Sequence, residues 1–250
     1  MPDELDPSHQ PMAQPDIGGE TPPSLAGDPL GRGSEHGLRA GAGGDSPPAR
    51  DTRPDRATRF IETTRGVLPY SEVAPLLAER VLRVEVALYQ SEFASCPLNE
   101  RLAAEFHHRI CHDLVPDWAG RWRSIEVRVG HLTPPPPHQV PVLMRDYGAD
   151  LLARWPAAVA ATGDLTLELL AFTEGRFLSI HPFRDFNGRT IRLFLLELLR
   201  RLDLPRVVLA PESESERQAY FQALEAADSS DWQPLLHIWQ HRFTSAPQTL

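Results

Sequence analysis

The chain has 250 residues, of which 41% are hydrophobic, so one or two domains with a sizeable core can form. A formal net charge of −9 argues against a general nucleic-acid coat, which needs a basic footprint, and leaves room for a local basic site. Two cysteines, Cys96 and Cys111, exclude a disulfide framework and point to a reducing compartment.

Residues 1–55 hold 10 of the 25 prolines and 9 of the 16 glycines, with sparse apolar residues and no period. Such a stretch cannot bury enough surface to offset its chain entropy, and it is expected to be a disordered tail ahead of an ordered domain over 56–245. The opening MPDELDPSHQ has neither the basic nor the apolar region of a secretory signal. No apolar run reaches the ~20 residues that span a bilayer. A soluble, cytoplasmic protein without a membrane partner is expected.

Segment 71–92 carries apolar residues at helical spacing, and segment 97–113 forms a second helix that Asn99 can cap. Residues 122–133 alternate instead, with Ile125, Val127 and Val129 between polar neighbours, which is a strand period. The four prolines 134–137 forbid a long sheet, so a short protruding hairpin is expected. Segment 140–158 is a third helix, expected to stop at Pro156, and 164–180 a fourth with Asp164 as N-cap. Segment 187–203 is strongly apolar and expected to be the central buried helix. Segments 212–227, opened by the acidic run Glu212–Glu216, and 231–242 close the chain. The class read from this pattern is all-α, a helical bundle with a short β-hairpin.

Chemistry concentrates in residues 181–192, HPFRDFNGRTIR, which join two apolar helices. Pro182 disfavours helix at His181, so the preceding helix ends there. Asn187 and Gly188 open the next helix, whose amides and dipole make an anion site. Arg189 and Arg192 lie three apart near that N-terminus, where the dipole disfavours cations. Two cations there make sense if a multiply charged anion sits between them. Asp185 would be repelled by that anion unless a divalent cation bridges them, and Mg²⁺ between a carboxylate and phosphates is the usual solution. His181 alone in this joint can accept a proton near neutral pH. All 25 basic residues are Arg, so a P-loop lysine or a Schiff-base lysine is excluded. The set suits attack of a hydroxyl on a nucleotide phosphate.

These twelve residues resemble the Fic (filamentation induced by cAMP) motif H-x-F-x-[DE]-G-N-[GK]-R-x-x-R, departing from it only at Phe186, where the family has Gly. Gly120-Arg121-Trp122-Arg123, then Val127, Val129 and Gly130, the prolines and Val140-Pro141 look like the family's flap, placed at about 122–138. The resemblance covers about residues 60–240. It implies the Fic fold and AMP transfer from ATP to a Ser, Thr or Tyr hydroxyl of a target protein. His181 would be the general base and Asp185 the Mg²⁺ ligand. The loop at Phe186, with Asn187, Gly188 and Arg189, would cradle phosphates, and Arg192 would hold the γ-phosphate. Phe183 would be a core anchor, and the hairpin would register the target peptide by strand addition. In the family, Lys at the position of Gly188 marks Doc-like phosphotransferases, so Gly188 favours AMP transfer. Phe186 would have to adopt a positive φ that Gly reaches freely. The alternatives are a nucleotide- or partner-binding module without turnover and a Doc-like phosphotransferase.

Glu174, seven residues before His181, could orient it or be a solvated helix residue. The family's inhibitory pattern [ST]-x-x-x-E-[GN] has no clean copy: Thr58…Glu62 is followed by Thr63, Val81 precedes Glu85, and TSAPQTL at the end lacks Glu. This suggests a small antitoxin partner, as in a toxin–antitoxin pair, with a degenerate cis brake as the alternative. His108 and His112 are spaced for a metal, but without a second ligand group the cluster with His107 and Cys111 reads as structural or solvent-facing. Trp232 and Trp239, seven apart, read as a packing stripe.

Overall fold

The helical periods after residue 70 become seven α-helices in the computed structural model, which describes residues 59–129, 132–160 and 163–245. They are α1 (Tyr70–Tyr89), α2 (Glu100–Cys111), α3 (Val140–Ala160), α4 (Asp164–Ile180), α5 (Asn187–Arg201), α6 (Glu214–Asp228) and α7 (Gln233–Thr244). Two short strands, β1 (Phe60–Thr63) and β2 (Gly66–Pro69), pair antiparallel ahead of them. The mostly helical class is as expected. The expected tail 1–55 lies outside the described residues. No described helix is long and apolar enough to cross a membrane.

Caps set several boundaries. The Asn99 side chain accepts the Arg101 N–H at 3.0 Å and starts α2. Ser213 accepts the Glu216 N–H while Glu216 reaches back to the Glu212 N–H, a reciprocal cap that starts α6. Cys96 and Cys111 are free thiols, Cys111 fully buried.

Four expectations are corrected. First, α3 runs through Pro156 to Ala160. Pro156 is exposed, as is Leu152 one turn back, so the one carbonyl left without an N–H partner faces solvent. Second, Asp164 is the first helical residue of α4, not its cap. Gly163, at φ 119°, reverses the chain, and its carbonyl takes the Thr166 and Leu167 N–H groups. Third, α4 rather than α5 is the central helix. It packs against α3, α5, α6 and α7 and is buried on nearly every face. A Cβ at Gly175 would come within 2.7 Å of the Trp232 ring and 3.0 Å of the Ala227 Cβ, so glycine there permits the close approach of α6 and α7. Fourth, 122–138 forms no hairpin ladder. One antiparallel bridge, Val129 to Leu132, is its only pairing among the described residues.

The ladder that does form, β1 with β2, is not among the expected elements. Its Thr64-Arg65 turn lacks the Asn-Gly or Asp-Gly signature. Contacts outside the hairpin compensate: the Thr64 N–H and hydroxyl donate to the Leu114 and Asp113 carbonyls at 2.8 and 2.7 Å. This pins the hairpin to the end of α2 and brings Arg59 and Tyr70 toward the joint between α4 and α5.

Candidate active site

The joint 181–186 is held by its own side chains. His181 ends α4 in the left-handed region at φ 49°, its N–H bonded to the Phe177 carbonyl. The Asn187 amide closes the loop, its oxygen accepting the Phe183 N–H and its nitrogen donating to the Phe183 carbonyl, both at 2.9 Å. Asn187 is buried, so its side chain shapes the loop rather than facing a ligand. Phe183 is fully buried and lies flat on His107 with centroids 3.8 Å apart, the anchor expected.

His107 is the hub beneath this loop, a role the sequence did not reveal. Its Nδ1 accepts the Gly120 N–H at 2.8 Å, and its Nε2 faces the Asp185 carbonyl at 3.2 Å. The Gly120 bond makes Nδ1 an acceptor, so Nε2 carries the proton and donates. Burial pushes the imidazole down to about 3, which keeps this neutral arrangement. Gly120 is at φ 71°, and a Cβ would meet the His108 Cβ at 2.9 Å, so only glycine fits. No group of three or more His, Cys, Asp or Glu able to hold a metal occurs among the described residues. His108 and His112 stack on each other at the surface.

Phe186 adopts the positive φ expected of it, 60°, at the N-cap of α5. Its ring is buried against Trp118, centroids 5.5 Å apart, and its carbonyl accepts the Arg189 and Thr190 N–H groups. Among the described residues nothing accepts from the Asn187 and Gly188 N–H groups, so two amide donors open the helix unpaired. Asp185 Oδ1 takes the Phe186 N–H at 2.6 Å and an ion pair from Arg59 at 3.2 Å. Burial raises the Asp185 carboxyl, and Arg59 opposes it. Oδ2 has no hydrogen-bond partner among the described residues.

Arg189 donates to the Tyr70 hydroxyl, and the Arg59 guanidinium covers the same ring at 4.1 Å. Arg192 has no hydrogen-bond or carboxylate partner among the described residues. Burial lowers its pKa, and so does the neighbouring Arg189 charge. Both arginines line a cleft of about 530 Å³ with Val81, Leu82 and Glu85 of α1 and residues 206–210. Gly188 borders Arg192: a Cβ there would lie 3.6 Å from its Nη1. The joint thus brings Asp185, two free amides and three arginines to one anion-receptive corner.

His181 adjoins the segment that begins at Arg123, whose Nε donates to its carbonyl. Among the described residues its buried Nδ1 has no hydrogen-bond partner. Burial, helped by the Arg123 charge, pushes the imidazole down to about 4. Glu174 does not touch His181, nor is it solvated. It is 1% exposed and forms a two-point ion pair with Arg242 at 2.7 and 3.1 Å, with the Tyr220 hydroxyl donating at 2.7 Å. Neither Glu62, exposed on β1, nor Glu85, bonded to Arg206, pairs with Arg192.

Residues 97–199 match the sequence profile of the Fic/DOC family. The chain is 29% identical over 187 residues to the protein adenylyltransferase Fic of Nematostella vectensis, covering 75% of this chain and 41% of that protein. It is 31% identical over 191 residues to the protein adenylyltransferase fic-1 of Caenorhabditis elegans, covering 72% and 35%. The chain thus spans about two-fifths of the length of these relatives. The fold is similar to that of BepC, a VirB-translocated effector of Bartonella tribocorum solved with bound AMPPNP. The TM-score is 0.57 at 16% identity, over 75% of this chain and 93% of that one.

Proposed function

We infer, from the match of residues 97–199 to the Fic/DOC family, that this chain transfers AMP from ATP to a protein hydroxyl. The observation that carries the reading is Arg192, a half-buried guanidinium with no hydrogen-bonded carboxylate among the described residues, beside two unpaired helix-start amides. A partly desolvated cation left unpaired favours an anion that completes it. A polyphosphate supplies that anion, and the nucleotide-bound BepC structure has the same fold.

In this reading the Asn187 and Gly188 N–H groups, Arg189 and Arg192 hold the phosphates. Phe186 acts by setting the loop, since its own ring is buried away from the cleft. Neutral His181 takes the proton of the target hydroxyl as its oxygen attacks the α-phosphorus. The bond to pyrophosphate breaks, and AMP remains on the target. Asp185 fits a Mg²⁺ ligand: its side chain is 20% exposed and Oδ2 is open. Mg²⁺ bound there would neutralise charge on the phosphate oxygens. The described residues of 122–136, irregular apart from the Val129–Leu132 bridge, offer main-chain groups for an added peptide strand.

The catalytic unit is proposed as 56–245, acting in the cytoplasm, where its free thiols stay reduced. No described glutamate sits on Arg192, which supports restraint by a partner protein such as an antitoxin. The test is incubation with Mg²⁺ and α-labelled ATP in a lysate, beside γ-labelled ATP and His181→Ala. Protein label from the α position alone, lost in His181→Ala, is expected. Label from the γ position would instead mean phosphotransfer. ATP binding with no label from either would mean a binding module.

A further inference from the structure

Arg123 is 4% exposed and forms no ion pair among the described residues. Its guanidinium is satisfied entirely by carbonyls. Nε donates to His181 at 2.8 Å and Nη2 to Ile180 at 3.3 Å, both at the end of α4. Nη1 donates to Ile125 at 3.1 Å and Nη2 to Pro135 at 2.5 Å, on the two sides of the 122–138 segment. Its main-chain N–H donates to the Pro182 carbonyl at 2.8 Å. One planar fork therefore holds both arms of that segment and the backbone of His181.

We propose that Arg123 is a positioning residue that locks the register of the target-binding segment to His181. His181 sits at φ 49°, a conformation non-glycine residues leave when they can. The Arg123 bonds at its own carbonyl and at those flanking it hold it there. Among its described residues the 122–138 segment has one bridge of its own, so its shape depends on the same guanidinium. A peptide seated on the segment thus reaches the base at a fixed distance, because one group sets both. Lysine could not substitute. Its ammonium is a point donor, whereas the four carbonyls lie around the plane of a fork.

This inference rests on the transfer reading, and its test separates the two. Arg123→Met and Arg123→Lys are compared with wild type in three measurements: hydrogen exchange, binding of a fluorescent ATP analogue, and α-label transfer in lysate. In Arg123→Met, exchange is expected to rise at least tenfold together in 124–133 and at His181 and Phe183, with α6 and α7 unchanged. Analogue affinity stays within about twofold, since Arg192 and the α5 amides are untouched. Transfer falls about a hundredfold, the scale of a misplacement near 1 Å. Arg123→Lys falls between. Exchange rising in only one of the two segments, or transfer surviving in Arg123→Met, overturns the proposal. If Arg123→Met fails to fold, Arg123→Lys decides by the same two readouts. Wild type that binds the analogue without transferring label overturns the transfer reading, while the exchange data still decide the lock.

Discussion

Restoring glycine at position 186 is expected to destabilise the protein, although glycine suits the backbone better. Phe186 sits at φ 60°, where a side chain costs about 1–2 kcal/mol. Glycine relieves that, but returns about 0.4–1 kcal/mol of freedom to the unfolded chain. Against this net gain of about 1 kcal/mol stands the ring, 4% exposed and packed on Trp118 and near His107. Removing a buried Phe side chain costs about 3–5 kcal/mol. The backbone bonds at 186, to Asp185 Oδ1, Arg189 and Thr190, survive the change. Phe186→Gly should therefore lose about 2–4 kcal/mol, which for a domain of this size lowers Tm by about 5–15 °C. Phe186→Ala keeps the backbone penalty and loses the ring, so it should fall about 1 kcal/mol further. Urea unfolding of the three proteins measures the order wild type, Gly, Ala. A glycine variant at least as stable as wild type would refute the packing argument, and equal Gly and Ala would refute the backbone one.

Arg192→Met should leave the unliganded Tm unchanged or slightly raised, because it removes a half-buried charge with no ion-pair partner among the described residues, while calorimetry shows ATP binding weakened at least tenfold. Its own affinity loss failing to appear would empty the phosphate role. The His181 imidazole, held near 4, stays neutral through the physiological range. Below 6.5 the unfolded chain binds a proton that the folded site refuses, so this group's share of stability falls as pH drops from 6.5 toward 4. Its NMR titration midpoint should lie near 4, and one near 6.5 would contradict the burial. Glu174→Leu strands the buried Arg242 charge and should cost about 3–5 kcal/mol by urea unfolding, most of it regained in Glu174→Leu with Arg242→Met. Arg59→Gln removes the cation on Asp185, and Mn²⁺ binding followed by paramagnetic resonance should tighten several-fold. Weaker binding would mean that Arg59 orders the carboxylate instead.

What was legible from sequence is what depends on near neighbours. Helix periods, the Asn99 cap, the end of α4 at His181 and the positive φ of Phe186 are all set within a few residues. The helix ends at Pro156 and Gly163 depend on solvent exposure and on a glycine turn, which the local residues do not encode. The 122–133 alternation signalled a strand, but Arg123 takes the carbonyls a ladder would use. His107 was visible only as part of a histidine cluster, since its partners Gly120 and Asp185 come from elsewhere in the chain. Glu174 shows the same limit: a lone acid on a helix gives no hint that Arg242 will bury it.

The bonds that assemble the site join residues remote in sequence. His107 to Asp185 spans 78 positions, Arg123 to His181 spans 58, and Arg189 to Tyr70 spans 119. Each closes a long loop before any local contact rewards it, so these bonds form late and together as the chain folds. Helical signal should then return in refolding before the capacity to bind a polyphosphate does. A partly folded chain would look largely helical by circular dichroism and yet remain chemically silent, which ties the onset of activity to the last step of folding.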